Sequence, residues 1–596
     1  MARMHLGALL FVAATSACTV TVKDAPDSGA PVVTDSGTPT TDTGGDTTPP
    51  PTDTTPADGA TDANPCGDIT PAGRCIDAKT ATWCDVPTGY DGTPKVVVDT
   101  CTAVQECTVD TAGVANCTLK AGLCDPGTTK CTADSTGVQT CNASGTWDTA
   151  ACPSGSPGCE LSTVGAFCKD TTKTGSVGTK AFSGTFQYDY HQPNSASAPT
   201  DWSSTIKTAP GVRITVVSYR GDSLIDATET DASGNFTLQV ADPPQSGDIL
   251  TFWAIRAKPG GLEEGIAFGM GIPSGSAIHD FSSGGRSDTT VDGASSQFWG
   301  WQFDVTSATS GSTFTVHEDK GSGALRVFDY LRYAYDLTYF LYKTPGKSLV
   351  IWLRNNTAWS CGACMSDTHN SVGDYEMQSQ IFIPSTAEDT AYWSDAVTAH
   401  ELGHWVMASH GTSPREGGRH CIGVATFPGQ AWSEGWATFF SSMVRESSLY
   451  VDKQRGSMFW VDIDARKYPS TTWKRPVAAD GLKQLIDENE VSAMGWAIAS
   501  HGSTAGRLLA DNRYFLDALS STRMNSSPFG RGYTRHVWEM TGCTKTDDTD
   551  LGSSAPMFAD YLDALLCSGA VTKSQVDAAT DPSVSYPFPS DATLCK

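Results

Sequence analysis

Apolar and polar positions divide this chain into stretches of different period. Leu325, Phe328, Leu331, Tyr335 and Tyr339 recur at three- and four-residue steps, which predicts a helix. The run Ser348-Leu349-Val350-Ile351-Trp352-Leu353 reads as a buried strand, and Gln380-Ile381-Phe382-Ile383 as another, ended by Pro384. A helix is expected from about 395 to 409, with Ala396, Val397, Ala399, Val406 and Met407 as its apolar body. Upstream, 180–260 alternates with a period near two. Val212-Arg213-Ile214-Thr215-Val216-Val217 is rich in β-branched residues, Asp231-Ala232-Ser233-Gly234-Asn235 is a turn signal, and Phe236-Thr237-Leu238-Gln239-Val240 alternates.

The chain has 596 residues, too many for one core, so several domains are expected. Residues 19–64 are rich in Thr, Asp, Pro and Gly and lack aromatic residues. They cannot bury enough apolar area to offset chain entropy, which predicts a disordered stalk. Next come twelve cysteines in two groups of six: Cys66, Cys75, Cys84, Cys101, Cys107, Cys117, then Cys124, Cys131, Cys141, Cys152, Cys159, Cys168. Similar spacing suggests a duplicated module in which crosslinks replace a core. Spacing does not select among the roughly 15 pairings open to six cysteines. A stapled spacer and an adhesive or docking module both fit. Cys361-Gly362-Ala363-Cys364 reads as a redox-active pair, half a metal site or a plain disulfide.

Arg3, the apolar run over 6–14 and the small residues before Cys18 form an export signal. Thr15-Ser16-Ala17-Cys18 resembles a bacterial lipobox, with Thr15 departing from the usual Leu. That resemblance implies acylation of Cys18; the alternative is a secretory signal cleaved near Ala17. Setting Cys18 aside leaves 18 cysteines, an even number that suits disulfides in an exported protein. The formal net charge of −26 argues against nucleic acid and against a basic membrane-binding surface. Membrane attachment is expected only through the N-terminal lipid.

The chemistry concentrates at His400-Glu401-Leu402-Gly403-His404. Two histidines four apart on a helix project from one face, so two neutral nitrogens can reach one zinc ion. Glu401 is offset around the helix, where a carboxylate can act as general base without ligating the metal. With 11 His in 596 residues, chance supplies about 0.02 such motifs. A third ligand is needed. Glu434, in Trp432-Ser433-Glu434-Gly435-Trp436-Ala437, lies 30 positions after His404, at the start of a second apolar helix. His410, six after His404, competes on a spacing that resembles the metzincin pattern, but Met407 stands where that pattern has the glycine whose left-handed conformation turns the chain back. His420 is a further candidate.

H-E-x-x-H with a downstream Glu-Gly-x-Ala segment resembles the gluzincins, the zincin metallopeptidases that include thermolysin and related aminopeptidases. The resemblance covers about 395–500. It implies an α+β zincin-like domain, one Zn2+ per chain held by His400, His404 and Glu434, and Glu401 as general base. Where thermolysin-like enzymes carry an orienting Asp, this chain has Thr438. Asp395 is an alternative orienting carboxylate or a helix cap. Donors for the transition-state oxyanion are expected among His501, Tyr533 and His536. Glu488 and Glu490 read as a helix start or as an outer-shell pair. The strand, turn and strand over 212–240 resemble a transthyretin-like sandwich.

The expectation is a multidomain chain: signal 1–17, stalk 18–64, Cys-rich modules 65–120 and 121–170, a small β-sandwich over 180–300, and a metallopeptidase domain over 301–596 with a mostly helical C-terminal part. The expected partner is a protein or peptide cleaved by an endopeptidase, aligned on the strand at 380–383. Two rivals are an adhesin with a structural or vestigial zinc, and a zinc hydrolase of another amide such as cell-wall peptide. The pattern fixes neither a calcium site nor an oligomeric state.

Overall fold

The computed structural model describes residues 68–580, apart from internal stretches of which the longest are 86–94, 170–177, 258–265, 273–279, 470–484 and 501–512. The export segment, Cys18, the stalk and His501 lie outside the described residues.

The two Cys-rich modules consist of short antiparallel strands with little core. In the second, Cys124–Cys141, Cys131–Cys159 and Cys152–Cys168 join the first cysteine to the third, the second to the fifth and the fourth to the sixth. The first module has Cys75–Cys107 and Cys101–Cys117, the same second-to-fifth and fourth-to-sixth ties. Duplication therefore extends from spacing to connectivity. With Cys361–Cys364, and with Cys421 and Cys567 also bonded, these crosslinks mark a disulfide-rich multidomain protein of an oxidising, extracytoplasmic kind.

The longer strands that follow are β1 (Gly178–Tyr190), β2 (Lys207–Pro210), β3 (Thr215–Arg220), β4 (Ser223–Glu229), β5 (Asn235–Asp242), β6 (Asp248–Trp253), β7 (Ile255–Ala257), β8 (Ile266–Gly271), β9 (Gly300–Asp304) and β10 (Ser312–Val316). β1 pairs with β2, β5 and β10, while β4–β3–β6–β9 form a second four-stranded sheet. The sheets pack face to face: Phe186 of β1 stacks on Phe252 of β6 at 4.3 Å, and Phe252 also meets Phe314 of β10 at 5.4 Å. β3 begins later than the apolar run suggests, because Arg213 takes a left-handed φ of 54°. The turn before β5 forms as its residues predict. Asp231 Oδ1 accepts from the Ser233 and Asn235 backbone amides, and Gly234, at φ 77°, lies where a Cβ would fall 2.3 Å from the Phe186 carbonyl oxygen.

Next come α1 (Ser322–Tyr342), β11 (Leu349–Leu353), β12 (Cys364–Ser366), β13 (Ser379–Ile383), α2 (Asp395–His410) and α3 (Pro428–Arg445). β7–β8–β11–β13–β12 form a third sheet, with β8, β11 and β13 parallel and both edges antiparallel. The expected boundary at 300 therefore does not separate the sheets. β7 and β8, from before it, complete the third sheet, and β9 and β10, from after it, complete the sandwich. The order also corrects the expected alignment strand. β13 is internal, and β12 covers the flank proposed for a peptide.

A hydrogen bond and a partly buried ion pair join these layers. Tyr188 of β1 donates to Asp329 of α1, and Arg326 of α1 binds both carboxylate oxygens of Asp395, at 2.7 Å through Nε. Asp395 thus serves neither role expected of it: Ser394 caps α2, accepting from the Val397 amide at 3.1 Å. The C-terminal part mixes the hairpin β14 (Leu449–Gln454)–β15 (Ser457–Asp462), α4 (Glu488–Ser500), α5 (Tyr514–Leu519), the hairpin β16 (Thr534–Thr541)–β17 (Thr544–Ser553) and α6 (Phe558–Cys567). It is less helical than the sequence suggests. One apolar core runs from Phe252 through Phe328 to Trp405 and Trp436.

Candidate functional site

α2 and α3 meet at glycine. A Cβ on Gly403 would fall 2.8 Å from Ala437 Cα, and Trp436 Nε1 donates to the Gly403 carbonyl at 3.0 Å. Apolar Trp432, Trp436, Phe440 and Met443 repeat along α3 and bury it. α3 begins at Pro428, so Glu434 lies in its second turn, not at its start. A Gly403→Ala change gains about 1 kcal/mol of helix propensity but overpacks the contact at about 1–3 kcal/mol. We therefore expect it to lower the melting temperature in a thermal denaturation scan, although alanine is the better helix former.

This close approach brings His400, His404 and Glu434 together. His400 Nε2 and His404 Nε2 are 3.2 Å apart, and Glu434 Oε2 lies 3.2 Å from the first and 3.1 Å from the second. Three lone-pair donors thus form a nearly equilateral triangle. Tetrahedral zinc with ligand bonds of about 2.0–2.1 Å spaces its ligand atoms roughly 3.3 Å apart, so the donor set fits such an ion. Nδ1 of His400 lies 3.0 Å from Thr438 Oγ1, and Nδ1 of His404 3.3 Å from Ser433 Oγ. Thr438 therefore occupies the orienting position that its sequence place suggested.

Burial dominates the electrostatics. It lowers the His400 imidazole to about 4 and raises the Glu401 carboxyl to about 7. Glu434, partly buried, is held well below the carboxylate range by His420 and His404.

His410 is not part of the cluster. α2 runs unbroken through Met407, so the chain does not turn back there. The His410 ring stacks on Tyr342 at 4.2 Å, and burial lowers it to about 4. Tyr533 is also drawn elsewhere: its hydroxyl donates to Glu416 at 3.0 Å. Glu416 further accepts from the His536 backbone amide at 2.7 Å and the Gln430 amide in the first turn of α3 at 2.9 Å. Tyr533 and His536 thus brace the helix that carries Glu434, with the His536 ring stacked on Phe427 at 4.1 Å. A buried carboxylate at a helix N-terminus is suited to that work.

Two neighbours of the cluster were poorly visible in the sequence. His420 Nε2 lies 3.6 Å from Glu434 Oε2, and its Nδ1 2.8 Å from Glu488 Oε2 at the start of α4. Tyr450 of β14 places its ring edge-on to His400, with centroids 5.9 Å apart. Glu490 instead faces Arg466, at 3.6 Å. No signal in the local sequence joins positions 420 and 488; His420, offered by the sequence as a further third-ligand candidate, lies against Glu434 and outside the His400–His404–Glu434 cluster.

No protein-family model matches the chain, and no curated protein matches its sequence.

Proposed function

We propose that the chain is an exported zinc-dependent endopeptidase of the zincin type, carried to the cell surface or secreted. The carrying observation is the triangle of His400 Nε2, His404 Nε2 and Glu434 Oε2, with edges of 3.1–3.2 Å, beside the buried Glu401. These three side chains would hold the metal. A bound zinc ion would supply Lewis-acid chemistry, polarising a scissile carbonyl and acidifying a water.

Glu401 takes the water's proton and returns it to the leaving amine. Thr438 and Ser433 fix the orientation of the two imidazoles, as outer-shell partners do. His420, held by Glu488, faces the same oxygen of Glu434 and donates toward the charge that develops on the carbonyl oxygen. In this reading His420 supplies the donor that the sequence sought among His501, Tyr533 and His536. Removing a positioned donor of this kind costs roughly 10²–10³ in kcat.

The test is metal analysis of the purified protein, with casein cleavage measured before and after chelation and after zinc is restored. Bound zinc, cleavage abolished by chelator and recovered with zinc, and His420→Gln slowed by about 10²-fold at unchanged zinc content are the expected results. Zinc present without cleavage of any protein would remove the enzymatic reading.

The competing reading is an adhesin with a structural zinc. It is favoured by the duplicated modules and by Ile76, Val98 and Val109, all exposed on the first of them. A buried carboxylate beside the cluster has no use in such a site, so we prefer the enzyme.

A further inference from the structure

The Cys361–Cys364 disulfide differs from the other described pairs. Those span 16 to 32 residues and staple separate parts of a module, whereas this one spans three. It can open without undoing any other crosslink. Cys361 is exposed, and Gly362 turns between the cysteines at φ 75° with nothing near its Cβ position. An attacking thiolate can reach the sulfur.

The pair also sits at a mechanical junction. Cys364 is the first residue of β12, the edge strand, which is held by only three register pairs: Cys364 to Phe382, Met365 to Ile381 and Ser366 to Gln380. Beyond it, Asp367 binds Lys347 Nζ at 2.6 and 2.7 Å. The Lys347 carbonyl accepts from Trp405 Nε1 at 3.0 Å, one residue past His404. Before it, Trp359 Nε1 donates to the Ile383 carbonyl at 2.9 Å. The three-residue ladder, marginal alone, is backed on its far side by Ser379 Oγ donating to Asp367 at 3.3 Å and Gln380 Nε2 donating to the Thr368 carbonyl at 3.1 Å, so the crosslink bears on its leading end at Cys364. Ala363 and Met365 pack on the core that contains α2.

We infer that Cys361–Cys364 is a reversible thiol-exchange site through which a dithiol reductant outside the cell loosens edge strand β12. A thiolate of the reductant attacks Cys361 Sγ, the S–S bond breaks, and Cys364 leaves as a thiolate. The reductant's second thiol displaces Cys361 from the mixed disulfide. The reductant ends as its own disulfide, having given two electrons, and Cys361 and Cys364 take up two protons as thiols. That β12 borders a substrate cleft rests on the peptidase reading; the exchange itself does not.

Full-length protein is titrated with a dithiol–disulfide buffer in excess zinc, trapped with iodoacetamide and mapped by mass spectrometry. Cys361 and Cys364 are expected to alkylate together, at a more oxidising poise than Cys75, Cys107, Cys131 or Cys159. Labelling no earlier than these pairs overturns the proposal. In parallel, amide hydrogen exchange of 364–366 is compared between wild type and a C361S/C364S variant. At least tenfold faster exchange in the variant, with the melting temperature held, is expected; unchanged exchange overturns the loosening. For a peptide substrate, KM rises several-fold in the variant at constant zinc content. Should wild type cleave nothing, the labelling and exchange results still decide this proposal while the peptidase reading falls.

Discussion

Glu401→Gln is expected to leave zinc bound and to reduce peptide cleavage by about 10³-fold, equivalent to roughly 4 kcal/mol of transition-state stabilisation. Glutamine keeps the size and much of the hydrogen bonding of glutamate but cannot accept the water's proton at neutral pH. Glu401 is only 5 % exposed, and among the described residues no hydrogen bond ties its carboxylate down as a structural anchor. The fold should therefore tolerate the change, and the removal of a buried carboxyl held near pH 7 should not destabilise the protein. Metal content by mass spectrometry, melting temperature and casein cleavage together read the outcome. Cleavage within tenfold of wild type would refute the general-base assignment, and loss of zinc would move Glu401 among the ligands.

Glu434→Gln is expected to release the metal. Two imidazoles then share the ion with a neutral amide oxygen, a poorer donor for zinc than a carboxylate. The loss of affinity should exceed the roughly 10–100-fold that removing an outer-shell partner costs, the effect anticipated for Thr438→Val. Dialysis against a zinc buffer series separates the two variants. Activity of Glu434→Gln should return in part at high free zinc, because Glu401 and the histidines remain. An unchanged zinc affinity would return the third ligand to open question, since His410 is stacked on Tyr342, out of reach.

What the sequence made legible follows distance along the chain. The α2 pair is a four-residue relation, and helix geometry alone places both imidazoles on one face. Glu434 could be reached because α3 announces itself with tryptophan and phenylalanine at helical intervals, and because Met407 disfavours the His410 turn. β11 and β13 were readable as apolar runs, but their order in the sheet was not. A three-residue strand such as β12 leaves almost no pattern, so β13 looked like an edge. His420 meets Glu488 across 68 positions, a pairing set by tertiary packing alone. Tyr533 misled because an aromatic hydroxyl downstream of the motif has the right chemistry; only its bond to Glu416 reveals a brace.

The pairing of β8 with β11 bears on how such a chain can have arisen. Strands from either side of residue 300 are interleaved like the fingers of clasped hands, so neither half is a cassette that recombination could have attached whole. Exchange between genes would succeed upstream, at the Cys-rich beads, whose described disulfides each stay within one bead. Variation among descendants should accordingly be found in the number of those beads, while the segment from β1 onward is inherited in one piece.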